Sequence, residues 1–154
     1  MAIQKTWYHG SKSAFKQFTQ KGSGQHGEGF YFASSFQDAS IFASTLAGNG
    51  DREEPRVYTV NIRAKRPLNT MSVEDCKTVA RFYGFEFRPL KNVGGPKEHY
   101  YYLARQLKAH GLGSKSEIND RIQKVGFDAI YYEFMNHLIV FNEDQISIEN
   151  VKAV

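Results

Sequence analysis

The stretch GEGFYFASSFQDASIFASTLAGNG, residues 27–50, restricts the fold more than any other, because three kinds of punctuation follow one another in it. Gln20 to Gly29 holds four glycines and is expected to be loop. Phe30 to Ala33 is an apolar aromatic tetrad of strand type. Ser35 then reads as a helix N-cap, with Asp38 three residues on as the capping-box acid and Gly48 as the C-terminal stop. Phe36, Ala39, Ala43 and Leu46 recur at helical spacing along the side that such a helix would bury.

The flanking segments extend this order. Ile3 to His9 reads as a first strand, ended by Gly10 and Ser11. RVYTVNIRA alternates as another strand, with Val57, Thr59 and Asn61 on one face and Tyr58, Val60 and Ile62 on the other, and Pro67 is expected to end that region. From Ser72 to Lys124 the pattern turns helical, in pieces at Val73 to Tyr83, Lys97 to His110 and Ser114 to Val125. Strands return at FDAIYYEF and HLIVFN, joined by a tight connection at Phe134 to Asn136. Strands and a helix, then a helical block, then closing strands argue for an α+β class and against a doubly wound sheet. No glycine fingerprint of a Rossmann domain or P-loop is present.

Length and composition set further bounds. A chain of 154 residues, 41% hydrophobic and 14% aromatic, fits one domain over 1–154 with its own core and is too apolar for disorder. The net charge of +4 is scattered apart from Arg63, Lys65 and Arg66, a pattern that fits solubility as well as a nucleic-acid target. The single cysteine, Cys76, rules out an internal disulfide and a cysteine metal site. His26, His99, His110 and His137 lack metal-ligand spacing, so no metal site is expected. No apolar run has signal-peptide or membrane-spanning length, which makes a cytoplasmic monomer without membrane contact the default, with delivery into a target cell also compatible.

Two stretches carry the chemistry, YHGS at Tyr8 to Ser11 and the glycine-to-helix run above. Glycine lets a backbone approach a ligand closely and aromatic rings offer flat stacking surfaces, so together they describe a pocket for a planar, polar ligand. Taken singly, His9 reads as a strand-end histidine and Tyr31 as core, while Tyr100, Tyr101 and Tyr102, continuing into Leu103 and Leu107, read as one helix packing its apolar side, with a stacking platform for single-stranded nucleic acid as the alternative. Phe15 and Phe18 read as anchors that tie the loop after the first strand into the core.

Three blocks give these residues a common explanation: YHGS, GEGFYFASSFQDASIFA at Gly27 to Ala43, and GFDAIYYEFMNHLIVFNEDQI at Gly126 to Ile146. In that order they resemble the ADP-ribosyltransferase superfamily, in its histidine-tyrosine-glutamate branch of diphtheria-type toxins and poly(ADP-ribose) polymerases, and the last block is similar to transferase domains of phage and mobile-element polyvalent proteins. The resemblance implies two opposed antiparallel sheets split around an NAD cleft, with helices at the sides. It implies that His9 bonds the adenine-side ribose of NAD, that the Gly10 backbone holds the nicotinamide carboxamide, and that Tyr31 packs on the nicotinamide ring. Phe42 stands where a second stacking tyrosine is often found, Ser11 falls in the ribose region, and Gly29 and Phe32 join the donor-binding set.

The third motif position departs from the pattern, since His137 stands where poly-modifying members carry glutamate. Histidine accepts a hydrogen bond only when neutral, so chain elongation is not expected, whereas transfer of one unit to a macromolecular acceptor, protein more than nucleic acid, remains open to orientation and a good leaving group. Activity that relies on neutral His137 should rise as pH passes through roughly 6.5. Glu133, just before the tight connection, is the first acidic substitute to consider. Glu143 lies on the order of 20 Å along the strand and Glu28 has no counterpart in the family. The arginine-containing branch, with its Glu-x-Glu pair, is disfavoured by His9 and by MNH at the late site. A silent NAD or ADP-ribose-binding module and an NAD glycohydrolase are the alternatives, and the helical block is the expected place for target recognition.

Overall fold

The computed structural model describes residues 3–19, 21–46, 54–89, 98–114 and 116–154. Gly48 and its proposed helix stop lie outside them. In chain order the elements are β1 (Thr6–Ser11), β2 (Gly22–Gly24), β3 (Gly27–Ala33), α1 (Phe36–Leu46), β4 (Arg56–Ile62), β5 (Pro67–Asn69), α2 (Val73–Phe82), α3 (Tyr100–Ala109), α4 (Ile118–Val125), β6 (Ala129–Tyr132), β7 (His137–Val140) and β8 (Ile146–Ala153). The class is α+β.

Seven strands run in the order β5-β6-β7-β3-β1-β4-β8, and β2 pairs with β3 beside this path. The centre of the path is where the sheet divides. β1 is registered with β4 over six residue pairs, yet with β3 at one only, Tyr8 with Ala33. Two half-sheets, β5-β6-β7-β3 and β1-β4-β8, therefore meet at Tyr8 within β1, opposite the last residue of β3, and are not paired along the rest of β1. The expectation of two fully antiparallel sheets needs correcting in two respects. The halves are joined through that single pair, and β5 runs parallel to β6.

Hydrophobic packing forms on both faces. On one, α2, α3 and α4 close over Leu68, Ile130, Ile139 and Phe141 with their own Cys76, Val79, Leu103, Leu107 and Ile122. On the other, Trp7, Phe18, Phe30, Phe32, Tyr58, Val60, Leu138 and Val140 form an aromatic-rich core. Phe15 and Phe18 hold their loop there: the Phe15 ring stacks on Tyr58 at 4.1 Å, and the Tyr58 hydroxyl donates to the Phe15 carbonyl at 2.9 Å. Ser35 caps α1 by accepting from the Asp38 N–H at 3.1 Å, and Ser72 caps α2 in the same way through Asp75.

Four local expectations change. The glycine run from Gln20 to Gly29 is largely a hairpin, with Gly22, Ser23 and Gly24 paired to Gly29, Glu28 and Gly27. Its glycines mimic a loop because Gly27 has φ +80° and because a Cβ on Gly24 would stand 2.8 Å from the Tyr31 ring. β1 runs on through Gly10 and Ser11, which pair with Val57 and Arg56. Pro67 opens β5 rather than ending the region, as proline can at the first residue of an edge strand. β8 was not anticipated, since an edge strand with no fully buried residue leaves little hydrophobic alternation to read.

Candidate active site

Where β1 and β3 part, a cleft of about 960 Å³ opens, the size of a small-molecule site. Successive residues of a strand face opposite ways and residues paired across strands face the same way, so register fixes what each side contributes. Tyr8, Ala33, His137 and Tyr132 form one row across β1, β3, β7 and β6, with Tyr31 and Gly29 further along β3 on the same face. His9 and Phe32 lie on the other face. Both sets line the cleft, which therefore passes through the gap between the half-sheets.

His9 bridges that gap. Its Nδ1 lies 2.7 Å from the Tyr31 carbonyl oxygen, and since a carbonyl only accepts, Nδ1 carries the proton and Nε2 is left as an acceptor. The ring is enclosed by Phe15, Phe18, Phe32 and Tyr58 at 5.1 to 6.4 Å between centroids. Burial pushes the imidazole below the ordinary histidine value, against the opposing pull of the Tyr31 carbonyl. A neutral His9 thus keeps Nε2 as a hydrogen-bond acceptor.

Tyr31 is held just as firmly. Its hydroxyl donates to the Gly27 carbonyl at 2.5 Å and accepts from the N–H groups of Gly24 and His26 at 3.1 and 3.2 Å. The hydroxyl thereby pins the β2–β3 turn. Gly10 faces α1, where a Cβ would come within 2.1 Å of the Ala39 carbonyl oxygen, so glycine is what lets α1 cross β1 here. Gly29 plays the same part between β3 and β7, with Ile139 Cγ2 at 2.5 Å from its Cβ position. The Ser11 hydroxyl is engaged in a local turn with Ser13. Phe42 projects from α1 at the cleft mouth, 55% exposed.

His137 lies half-buried at the start of β7. Burial lowers its pKa most, Asp38 works to raise it, and His26 adds to the lowering. Glu133 does not turn into the cleft: it is exposed and its Oε2 accepts from Asn69 Nδ2 at 2.9 Å, outside the cleft lining. β6 ends at Tyr132, and Glu133 falls in the turn after it, where Asn69 at the end of β5 holds its carboxylate.

The structure also brings in residues that sequence reasoning did not assign to the site. Among the described residues that line the cleft, Asp38 is the one carboxylate, and none is a lysine or an arginine. Its proximity to His137 follows from register, since α1 begins right after Ala33, the partner of His137. His26 and Tyr132 line the same wall, with ring centroids 4.4 Å apart. A histidine inside a glycine-rich hairpin was the visible signal for His26. Among the described residues, no group of three or more His, Cys, Asp or Glu side chains is arranged to hold a metal ion. Cys76 takes no part, being buried under α2 with its thiol pushed up to about 12, chiefly by burial.

A split α+β sheet with a histidine and a tyrosine walling the gap has the architecture of an ADP-ribosyltransferase-like fold. Residues 4–152 match the family described as ADP-ribosyltransferase in polyvalent proteins, and the chain belongs to that family. Transferases of this kind take ADP-ribose from NAD. No curated protein and no solved structure matches the chain significantly.

Proposed function

We propose that the chain is a mono-ADP-ribosyltransferase, which cleaves NAD in the cleft between β1 and β3 and passes one ADP-ribose unit to a macromolecular acceptor in the manner of the histidine-tyrosine-glutamate branch. The observation that carries this reading is the His9–Tyr31 bridge across the gap, within a cleft that His137 also lines. The neutral His9 Nε2 accepts from the adenine-side ribose, and the Tyr31 ring, fixed by its three hydroxyl bonds, stacks on nicotinamide. Backbone N–H groups and hydroxyls of the lining meet the diphosphate.

Neutral His137 accepts from a hydroxyl of the nicotinamide-side ribose. The glycosidic bond opens toward an oxocarbenium-like carbon, and nicotinamide leaves with the bond's electron pair. The nearby Asp38 carboxylate supplies negative charge where the ribose becomes positive. Phe42 and Met135, both exposed and both lining the cleft, offer an arriving macromolecule an apolar rim.

The test is nicotinamide release and transfer of label from biotinylated NAD into a cell lysate, for wild type and for His9→Ala, Tyr31→Ala and His137→Ala. Labelling that requires lysate and is lost in the first two variants supports the reading. A second reading rests on His137 itself: a histidine in place of a carboxylate suits a module that binds NAD and does not turn it over. Tight NAD binding without nicotinamide release under any condition would favour that module.

A further inference from the structure

The wall of the cleft holds a third histidine, which the proposed chemistry leaves unused. His26 is 2% exposed, yet it lines the cleft. Its Nε2 lies 2.8 Å from Oε1 of Glu98, itself largely buried. A carboxylate accepts, so Nε2 donates and Nδ1 is left as a bare acceptor.

The surroundings fix this imidazole closely. The His26 backbone N–H donates to the Tyr31 hydroxyl, and the His26 backbone carbonyl accepts from Asn119 Nδ2 at 2.8 Å. Asn119 in turn accepts from the Tyr100 hydroxyl at 2.9 Å. The ring lies against Tyr132 at 4.4 Å and stacks on Tyr101 at 5.6 Å. Tyr132 is the cross-strand partner of His137, so His26 stands beside the position where the resemblance expects a glutamate. Burying a histidine with a carboxylate is costly where an apolar pair would fill the same space. An oriented imidazole with one free acceptor nitrogen at a cleft wall is the arrangement a general base needs.

We propose that His26, positioned by Glu98, is the base that accepts the proton of the incoming nucleophile. This rests on the transferase reading above. In the step, the bond between the nicotinamide-side ribose carbon and the nicotinamide nitrogen breaks and its electron pair leaves with nicotinamide. The nucleophile's oxygen or nitrogen bonds to that carbon, and its proton passes to His26 Nδ1 and then to water. Glu98 touches no substrate and acts through the imidazole.

The experiment uses the full chain, NAD as donor and water as the probe nucleophile, following nicotinamide release together with NAD affinity and the thermal midpoint. General bases contribute about 100-fold to 10,000-fold. His26→Gln is expected to lower kcat at the lower end of that range, about 100-fold, and Glu98→Gln, which keeps the ring in place, by about 10-fold, each with the NAD Kd within about two-fold of wild type. Imidazole in the buffer should restore turnover to His26→Ala, and Glu98→Asp should recover part of the Glu98→Gln loss. Unchanged kcat in Glu98→Gln and His26→Gln would overturn the proposal. So would parallel losses of affinity and thermal midpoint without imidazole rescue, which would make the pair a prop for the cleft wall. Loss in Asp38→Asn with Glu98→Gln unaffected would transfer the role to Asp38. A wild type that binds NAD and releases no nicotinamide, with cell lysate present or absent, would refute the transferase reading itself, and this one with it.

Discussion

Replacing Gly10 by alanine tests whether α1 is clamped onto β1 as described. The new methyl would stand 2.1 Å from the Ala39 carbonyl oxygen and 2.9 Å from the Ala43 nitrogen, both backbone atoms of α1. Carbon contacts settle at roughly 3.5 Å, so the helix has to retreat by about 1 Å or more, since no flexible side chain is there to yield. Overpacking of this kind costs about 1–3 kcal/mol, against a gain of about 0.4–1 kcal/mol from a stiffer unfolded chain. The net loss lowers the midpoint of thermal unfolding by several degrees, at about 2–4 °C per kcal/mol for a chain of this size. Gly22→Ala is the control, because its Cβ would make only ordinary contacts at 3.7 Å. Urea unfolding of the three proteins, with NAD titration alongside, gives both readouts. Affinity should fall with stability in Gly10→Ala alone, because α1 carries Asp38 and Phe42 away from the cleft. A Gly10→Ala protein within about 0.5 kcal/mol of wild type would refute the close crossing.

Other outcomes follow from the same contacts. Tyr31→Phe keeps the ring but strands the Gly27 carbonyl and the N–H groups of Gly24 and His26, so denaturant unfolding should report a loss of about 1–3 kcal/mol. His9 and His137 both have pKa values below the ordinary 6.5, so the unfolded chain binds protons first as pH falls through 6.5. Stability should therefore be level above that pH and decline below it, as thermal melts from pH 8 to 5 would record, and the acid limb of activity should lie below 6.5 for the same reason. Glu133→Gln should leave nicotinamide release unchanged, because that side chain is held by Asn69 away from the cleft.

What could be read in advance depended on whether a residue's role is local. The cap of α1 at Ser35, the helices from Val73 to Val125 and the strands around Phe30 and Ile139 announce themselves through neighbouring residues, and all are present. His9 and Tyr31 were legible as a pair through motif resemblance, although their bond across the split depends on register between strands 22 residues apart. Three things were hidden. The β2–β3 hairpin was masked by glycines whose reason is the Tyr31 ring and a positive φ. Glu133 read as usable, but in the turn after β6 its carboxylate is held by Asn69, 64 residues away in sequence. The His26–Glu98 pair joins residues 72 apart, and no local pattern connects them.

The central claim, that the gap between β1 and β3 holds NAD, is tested most directly by titrating NAD into the isotope-labelled protein and following its backbone amide resonances. The account predicts that the largest shifts fall on Gly10, Tyr31 and His137, together with the β2–β3 turn, and that they vanish in His9→Ala. Shifts centred on the outer surfaces of α2 to α4 or on β8, with the β1 and β3 amides unmoved, would contradict it.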